Sequence, residues 1–137
     1  MFQSRCPPMR ILIVSADPGS AGQVADFLSQ LGHASCGSAG TLLQTLEAVQ
    51  RHRPDLMIVD VDPANSLAAV DAATQVFWNW GTRSLFLGAA FDGAFQDKTS
   101  GIRAVGYLRK PLAVEVLRRV LDGVLDGLPG RPSLSSP

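Results

Sequence analysis

Short uninterrupted apolar runs punctuate this chain. Ile11-Leu12-Ile13-Val14, Leu56-Met57-Ile58-Val59, Leu85-Phe86-Leu87 and Tyr107-Leu108 show no alternation, as expected of strands buried on both faces. They predict strands over 10–14, 56–59, 84–87 and 106–108. A further strand is expected over 33–38, although its composition is poor in β-formers. Between the runs, apolar residues return at spacings of three and four, the period of an amphipathic helix. Val24, Phe27, Leu28 and Leu31 mark a first helix. Leu42, Leu43, Leu46 and Val49 mark a second, closed before Pro54. Leu67, Val70, Thr74 and Phe77 line one face of a third, ending near Gly81. Residues 93–102 form a poorly patterned fourth. Leu117, Val120, Leu121 and Val124 make a strong stripe on a fifth, over 112–125. Asp17-Pro18 is a helix opening, with Asp17 as N-cap and Pro18 at the first helical position. Gly32 supplies the matching stop.

Strands and helices thus alternate five times. That order implies right-handed crossovers and a parallel sheet covered by helices on both faces, an α/β fold of the flavodoxin-like (βα)5, doubly wound kind. Residues 10–127 are expected to form one domain. Residues 1–9 read as a disordered leader, and residues 128–137, rich in Pro, Gly and Ser, as a flexible tail or a truncated linker.

Composition narrows the functional classes. Of 137 residues, 46% are apolar and the formal net charge is zero, so nothing favours nucleic acid or an anionic membrane as partner. No apolar stretch approaches the roughly 20 residues of a membrane span, and residues 1–10 lack a signal core. A cytoplasmic protein is expected. Cys6 and Cys36 have neither CxxC spacing nor a neighbouring His cluster, which argues against a disulfide framework or a zinc site. His33 and His52 are isolated. No HExxH, Walker motif or nucleophile–base pair is present, so turnover of a diffusible substrate is not expected.

The candidate chemistry lies where two runs end. Asp60 closes the third strand and Lys110-Pro111 closes the fifth, which brings a carboxylate and an ammonium to one edge of a parallel sheet. That edge is where open α/β sheets gather their ligands. The frame resembles a bacterial two-component response-regulator receiver domain of the CheY-like family. The resemblance rests on five βα units, Asp60 after the third strand, Tyr107-Leu108-Arg109-Lys110-Pro111 after the fifth, and the 50-residue interval from Asp60 to Lys110. It covers residues 10 to 126.

The resemblance implies strand order 2-1-3-4-5 in a three-layer α/β/α sandwich. It implies that Asp60 accepts a phosphoryl group from a sensor histidine kinase and that Lys110 pairs with the phosphoryl oxygens. Tyr107 would be the aromatic that changes rotamer in response. Mg²⁺ would be held by acidic residues after the first strand together with Asp60. The face of helix four, strand five and helix five would serve a downstream signalling protein or a second copy of the chain. Several positions depart from this pattern. Ser15 and Ala16 stand where two acidic residues belong, and Asp17 is one place late. Gly88 fills the Ser/Thr position after the fourth strand and has no hydroxyl. The loop Val61-Asp62-Pro63-Ala64-Asn65 lacks the usual Pro-x-x-x-Gly ending. The remaining metal donors are Asp17, Asp60 and Asp62, a weakened set for an ion that takes about six oxygens.

Three readings follow. One is a phosphoacceptor switch at Asp60 with an atypical metal pocket. The alternative is a degenerate receiver, a docking or dimerisation module independent of phosphorylation, with Lys110 and Asp60 as a fixed ion pair. The third is a flavodoxin-like cofactor carrier, suggested by the small Gly/Ser-rich stretch from Ser15 to Gly22. Asp17 also reads simply as a cap, and Tyr107 as an ordinary strand aromatic. Trp78 and Trp80 cannot both face inward, whereas Phe91 and Phe95 suit core packing.

Overall fold

Alternation between two cores explains the uninterrupted runs. In the computed structural model, which describes residues 9–62 and 64–126, five strands and five helices follow one another. They are β1 (Arg10–Val14), α1 (Pro18–Gln30), β2 (Ala34–Ala39), α2 (Leu42–His52), β3 (Leu56–Val61), α3 (Ser66–Trp80), β4 (Arg83–Gly88), α4 (Gly93–Thr99), β5 (Gly106–Arg109) and α5 (Val114–Asp126). A 3₁₀ turn, Ser100–Ile102, follows α4. The strands pair in parallel in the order β2-β1-β3-β4-β5, the order the sequence implied. Most of the expected leader (residues 1–8), the tail and Pro63 lie outside the described residues. Met9 does not behave as leader: it is buried in the core, and its N–H donates to His33 Nδ1 at 3.1 Å.

Along each central strand, successive side chains enter opposite layers. Ile11, Ile13, Leu56, Ile58, Leu85 and Leu87 pack with Val24 and Leu28 of α1 and with Leu117 and Leu121 of α5. Leu12, Val14, Met57, Val59 and Phe86 pack with Val49 of α2, with Ala69, Ala73 and Val76 of α3, and with Phe95 of α4. Each fully buried Leu among these contributes about 1.5–3 kcal/mol relative to exposure. Three of the helix starts are capped by side chains. Asp17 accepts from Gly19 N, Thr41 from Gln44 N and Asp92 from Phe95 N.

Two expectations shift. The sequence ended the third strand at Val59, but β3 runs two residues further, pairing Asp60 with Leu87 and Val61 with Gly88. Asp60 is thus a strand residue. The expected stripe on α3 is rotated as well. Its buried face is Ala69, Ala72, Ala73 and Val76, while Leu67 is 66% exposed. Small residues let the helix lie close on the sheet, and larger Val70, Phe77 and Trp80 pack at the flanks.

Candidate functional site

Asp60 is 8% exposed, and both of its carboxylate oxygens are approached by groups of the chain itself. Lys110 Nζ lies 2.6 Å from Oδ1. This is ion-pair distance, although the approach is not aligned as a directed hydrogen bond. Ser15 Oγ lies 2.9 Å from Oδ2. The Ser15 hydroxyl has one proton and two acceptors in reach, Asp60 Oδ2 and Asp17 O at 3.2 Å. The ionised acceptor makes the stronger bond, so the proton goes to Asp60. The same oxygen accepts from Asp17 N at 3.1 Å, and Ser15 N donates to Ala39 O. Ser15 is therefore held from three sides. In the sequence it stands in the place of a lost acid and opens a small Gly/Ser-rich stretch, whereas in the structure it is a donor to the buried carboxylate.

Lys110 is placed by its backbone: its N–H donates to Gly88 O at 2.8 Å, extending the β4–β5 ladder. The Lys110–Pro111 peptide is cis. The ammonium side chain keeps 37% of its surface exposed, so it reaches from the rim toward a buried partner.

The other two candidate metal donors are engaged elsewhere. Asp17 is the N-cap of α1, with Oδ1 on Gly19 N at 3.0 Å. Asp62 is exposed and closes the turn into α3: its Oδ1 accepts from Ala64 N at 2.9 Å and Asn65 N at 3.0 Å, and its own N–H donates to Asn65 Oδ1 at 2.8 Å. Among the described residues no group of three or more His, Cys, Asp or Glu side chains is arranged to hold a metal. Asp60 lines, with Ser15, Ala16, Gly40, Thr41 and Ala68, a hollow of about 60 Å³, enough for a few waters. A Mg²⁺ ion takes about six oxygens, usually with one or two carboxylates. What converges on Asp60 is one hydroxyl and one ammonium, and the ammonium would repel the ion. The residues present do not fit Mg²⁺.

Gly88 has a steric reason. A Cβ there would lie 2.9 Å from Val61 O and 3.1 Å from Phe91 Cζ. The space that a Ser or Thr would need is filled by backbone on one side and an aromatic ring on the other. Phe91 also packs on Tyr107 and on Phe95, each at 5.4 Å between ring centroids. Tyr107 stacks on Phe86, and its hydroxyl bonds to Thr99 Oγ1. Thr99 is fully buried, and its hydroxyl also reaches Phe95 O at 3.0 Å and Gln96 O at 3.2 Å. The role of Phe91 carries no sequence signal, since nothing in the chain marks a contact between positions 88 and 91.

The remaining candidates fall apart from this site. The loop that suggested a flavin phosphate cradle presents the Asp17 carboxylate to its own Gly19 N–H, where a phosphate would need free donors. Cys36 sits half-buried on β2, and burial pushes its thiol pKa up, which makes it a poor nucleophile. Trp78 is 70% exposed while Trp80 packs against the core. No helix among the described residues is long and apolar enough to cross a membrane.

Fold and site together define a class: the chain has the architecture of response-regulator receiver domains, with an Asp–Lys pair at the carboxyl edge of the sheet. No family model matches it. The signal receiver domain of a modulated diguanylate cyclase from Desulfovibrio desulfuricans G20 superposes with a TM-score of 0.77 at 22% identity, covering 86% of this chain and 94% of that one. Chemotaxis protein CheY4 of Vibrio cholerae gives 0.76 at 23% identity, with 86% and 99% covered. The receiver domain of the PhyR response regulator from Erythrobacter litoralis gives 0.72 at 22% identity, with 93% and 97% covered. In sequence, the chain is 26% identical over 110 residues to the transcriptional regulatory protein PdtaR of Mycobacterium tuberculosis, which covers 80% of this chain. The chain spans about half the length of the curated relatives it matches.

Proposed function

We propose that this chain is a receiver-type module of a bacterial two-component pathway that acts by docking a partner protein, independently of phosphoryl transfer. The observation that carries this reading is the state of Asp60: Lys110 holds one carboxylate oxygen and Ser15 the other. An acceptor must present a free oxygen to phosphorus, with cations and donors around the transferred group. Here the ammonium takes the place of the cation, and the acids after β1 are a Ser and an Ala. Gly88 gives no hydroxyl to a phosphoryl oxygen. The partner in this reading is a sensor kinase or a downstream signalling protein in the cytoplasm, or a second copy of the chain. It would be met at the face of α4, β5 and α5, where Val116 and Arg109 are exposed.

One observation favours phosphoacceptance by Asp60. The carboxylate and Lys110 do meet at the sheet edge, and an ammonium so placed suits a phosphoryl oxygen as well as a carboxylate. Incubation with acetyl phosphate and MgCl₂, read by intact mass, separates the two readings. The docking reading expects no phosphoryl adduct on the protein. An adduct that is lost in Asp60→Asn would establish the switch.

A further inference from the structure

We propose that Phe91 is a plug that uncouples Asp60 from the surface formed by α4 and β5. The inference deepens the docking reading, because it says why that surface would keep one shape. Asp60 pairs with Leu87 across the β3–β4 ladder, and Gly88 is the next residue along. A displacement starting at Asp60 reaches Tyr107 only if the contacts packed around Gly88, which has no side chain of its own, can give. The Phe91 ring stands 3.1 Å from where a Gly88 Cβ would be, so tightly that a Cβ there would have to push the ring aside. From that position the ring packs on Phe95 and Tyr107. Phe95 in turn meets Phe86 edge-on at 5.2 Å, and Phe86 stacks on Tyr107 at 5.8 Å with 14° between the planes. Four rings thus form a closed cluster spanning β4, the loop after it, α4 and β5. Its polar tie is the bond from Tyr107 to Thr99, which is itself anchored on Phe95 O.

The cluster moves as a unit or not at all. Swinging Tyr107 outward breaks its contacts with three rings and the Thr99 bond together, and leaves the buried Thr99 hydroxyl with one partner fewer. Moving α4 pulls Phe95 from all three of the other rings. Phe91 presents only hydrocarbon toward the sheet edge, so it has no group with which to sense the charge at Asp60. The α4–β5 surface is therefore held in one arrangement whether Asp60 is charged, neutral or modified.

Tyr107 is the only tyrosine among the 137 residues, so ring-labelled tyrosine gives a single reporter in an NMR spectrum. The proteins to compare are the wild type, Asp60→Asn, Phe91→Ala and the double variant. Phe91→Leu, which keeps most of the volume, stands in if Phe91→Ala does not fold. The wild type and Asp60→Asn are expected to give the same single set of Tyr107 ring signals. Phe91→Ala is expected to give a second or exchange-broadened set, whose population changes when Asp60→Asn is added. Two results overturn the plug. One is a Tyr107 response to Asp60→Asn that is as large with Phe91 present as without it. The other is a single Tyr107 set, insensitive to Asp60→Asn, in the Phe91 variants. This readout needs no phosphoryl transfer. A phosphoryl adduct on Asp60 would thus end the docking reading while leaving the plug standing, and the converse holds for a responsive Tyr107.

Discussion

Removing Lys110 is expected to destabilise the protein more than removing the charge of Asp60, although the two belong to one ion pair. The asymmetry comes from burial. The Asp60 side chain is 9% exposed and that of Lys110 37%. At 2.6 Å and an effective dielectric of about 20, the gross attraction is about 6 kcal/mol. Against it stands the desolvation of the carboxylate, several kcal/mol for a buried ion. The partly exposed ammonium is screened, which lowers the net value further. Lys110→Met leaves a buried anion with only the Ser15 hydroxyl, at an expected cost of about 2 kcal/mol. Asp60→Asn keeps the shape, still accepts from Ser15, and leaves an ammonium that can turn to water, at an expected cost under about 1 kcal/mol. The double variant should cost less than the sum of the singles. Urea unfolding followed by Trp fluorescence measures this directly. With a slope of about 2 kcal/mol per molar, Lys110→Met should lower the midpoint by about 1 M and Asp60→Asn by under half of that. If Asp60→Asn costs as much as Lys110→Met, the carboxylate is not the buried partner that needs the ammonium. Strict additivity in the double variant would show that the pair is not coupled.

Two further outcomes follow from other contacts. Gly88→Ser should cost about 1–3 kcal/mol by overpacking, and Phe91→Ala should relieve only part of it. The 2.9 Å approach to Val61 O is to backbone and remains; full rescue in the double variant would put the whole clash on the ring. The His33 pKa is lowered from its ordinary 6.5, chiefly by burial, with Asp122 opposing. The unfolded chain then binds that proton more readily than the folded one. Its contribution to stability is thus fully present above about pH 6.5 and lost as pH falls below it. Urea midpoints at pH 7.5 and 5.5 should differ more for the wild type than for His33→Gln, and equal differences would remove His33 from the account.

The strand runs, the helix stripe of α5 and the order of elements were legible because burial on both faces leaves an uninterrupted apolar signature. The Asp60–Lys110 pair was legible because each residue ends such a run. α3 misled because Leu67 and Phe77 outweigh alanines on any hydropathy reading, while close packing on a sheet favours the small residues. Asp60 was placed past its strand because a carboxylate reads as the end of an apolar run. Its two partners let it stay in the ladder. The meaning of Ser15 depends on a contact 45 residues away, and that of Gly88 on a ring three residues later in a loop. Neither contact follows from local pattern. β2 was the poorest strand in the sequence, and its registry explains why: pairing with β1 shifts between Ile11 and Ile13, and Gly37 takes φ of +129°, which side chains resist.

That irregularity has a consequence for how the molecule behaves in a crowded solution. β2 is one edge of the sheet, and an edge is a row of backbone donors and acceptors ready to recruit another strand. A regular, apolar β2 would template intermolecular pairing. This one is built from Ala, Ser, Cys and Gly, is largely exposed, and is bulged in the middle. At the opposite edge β5 is only four residues long and ends in the charged Arg109. The sheet thus offers neither side as a surface for growth. Straightening β2 with Gly37→Val would be the substitution most apt to turn this edge into a template for aggregation.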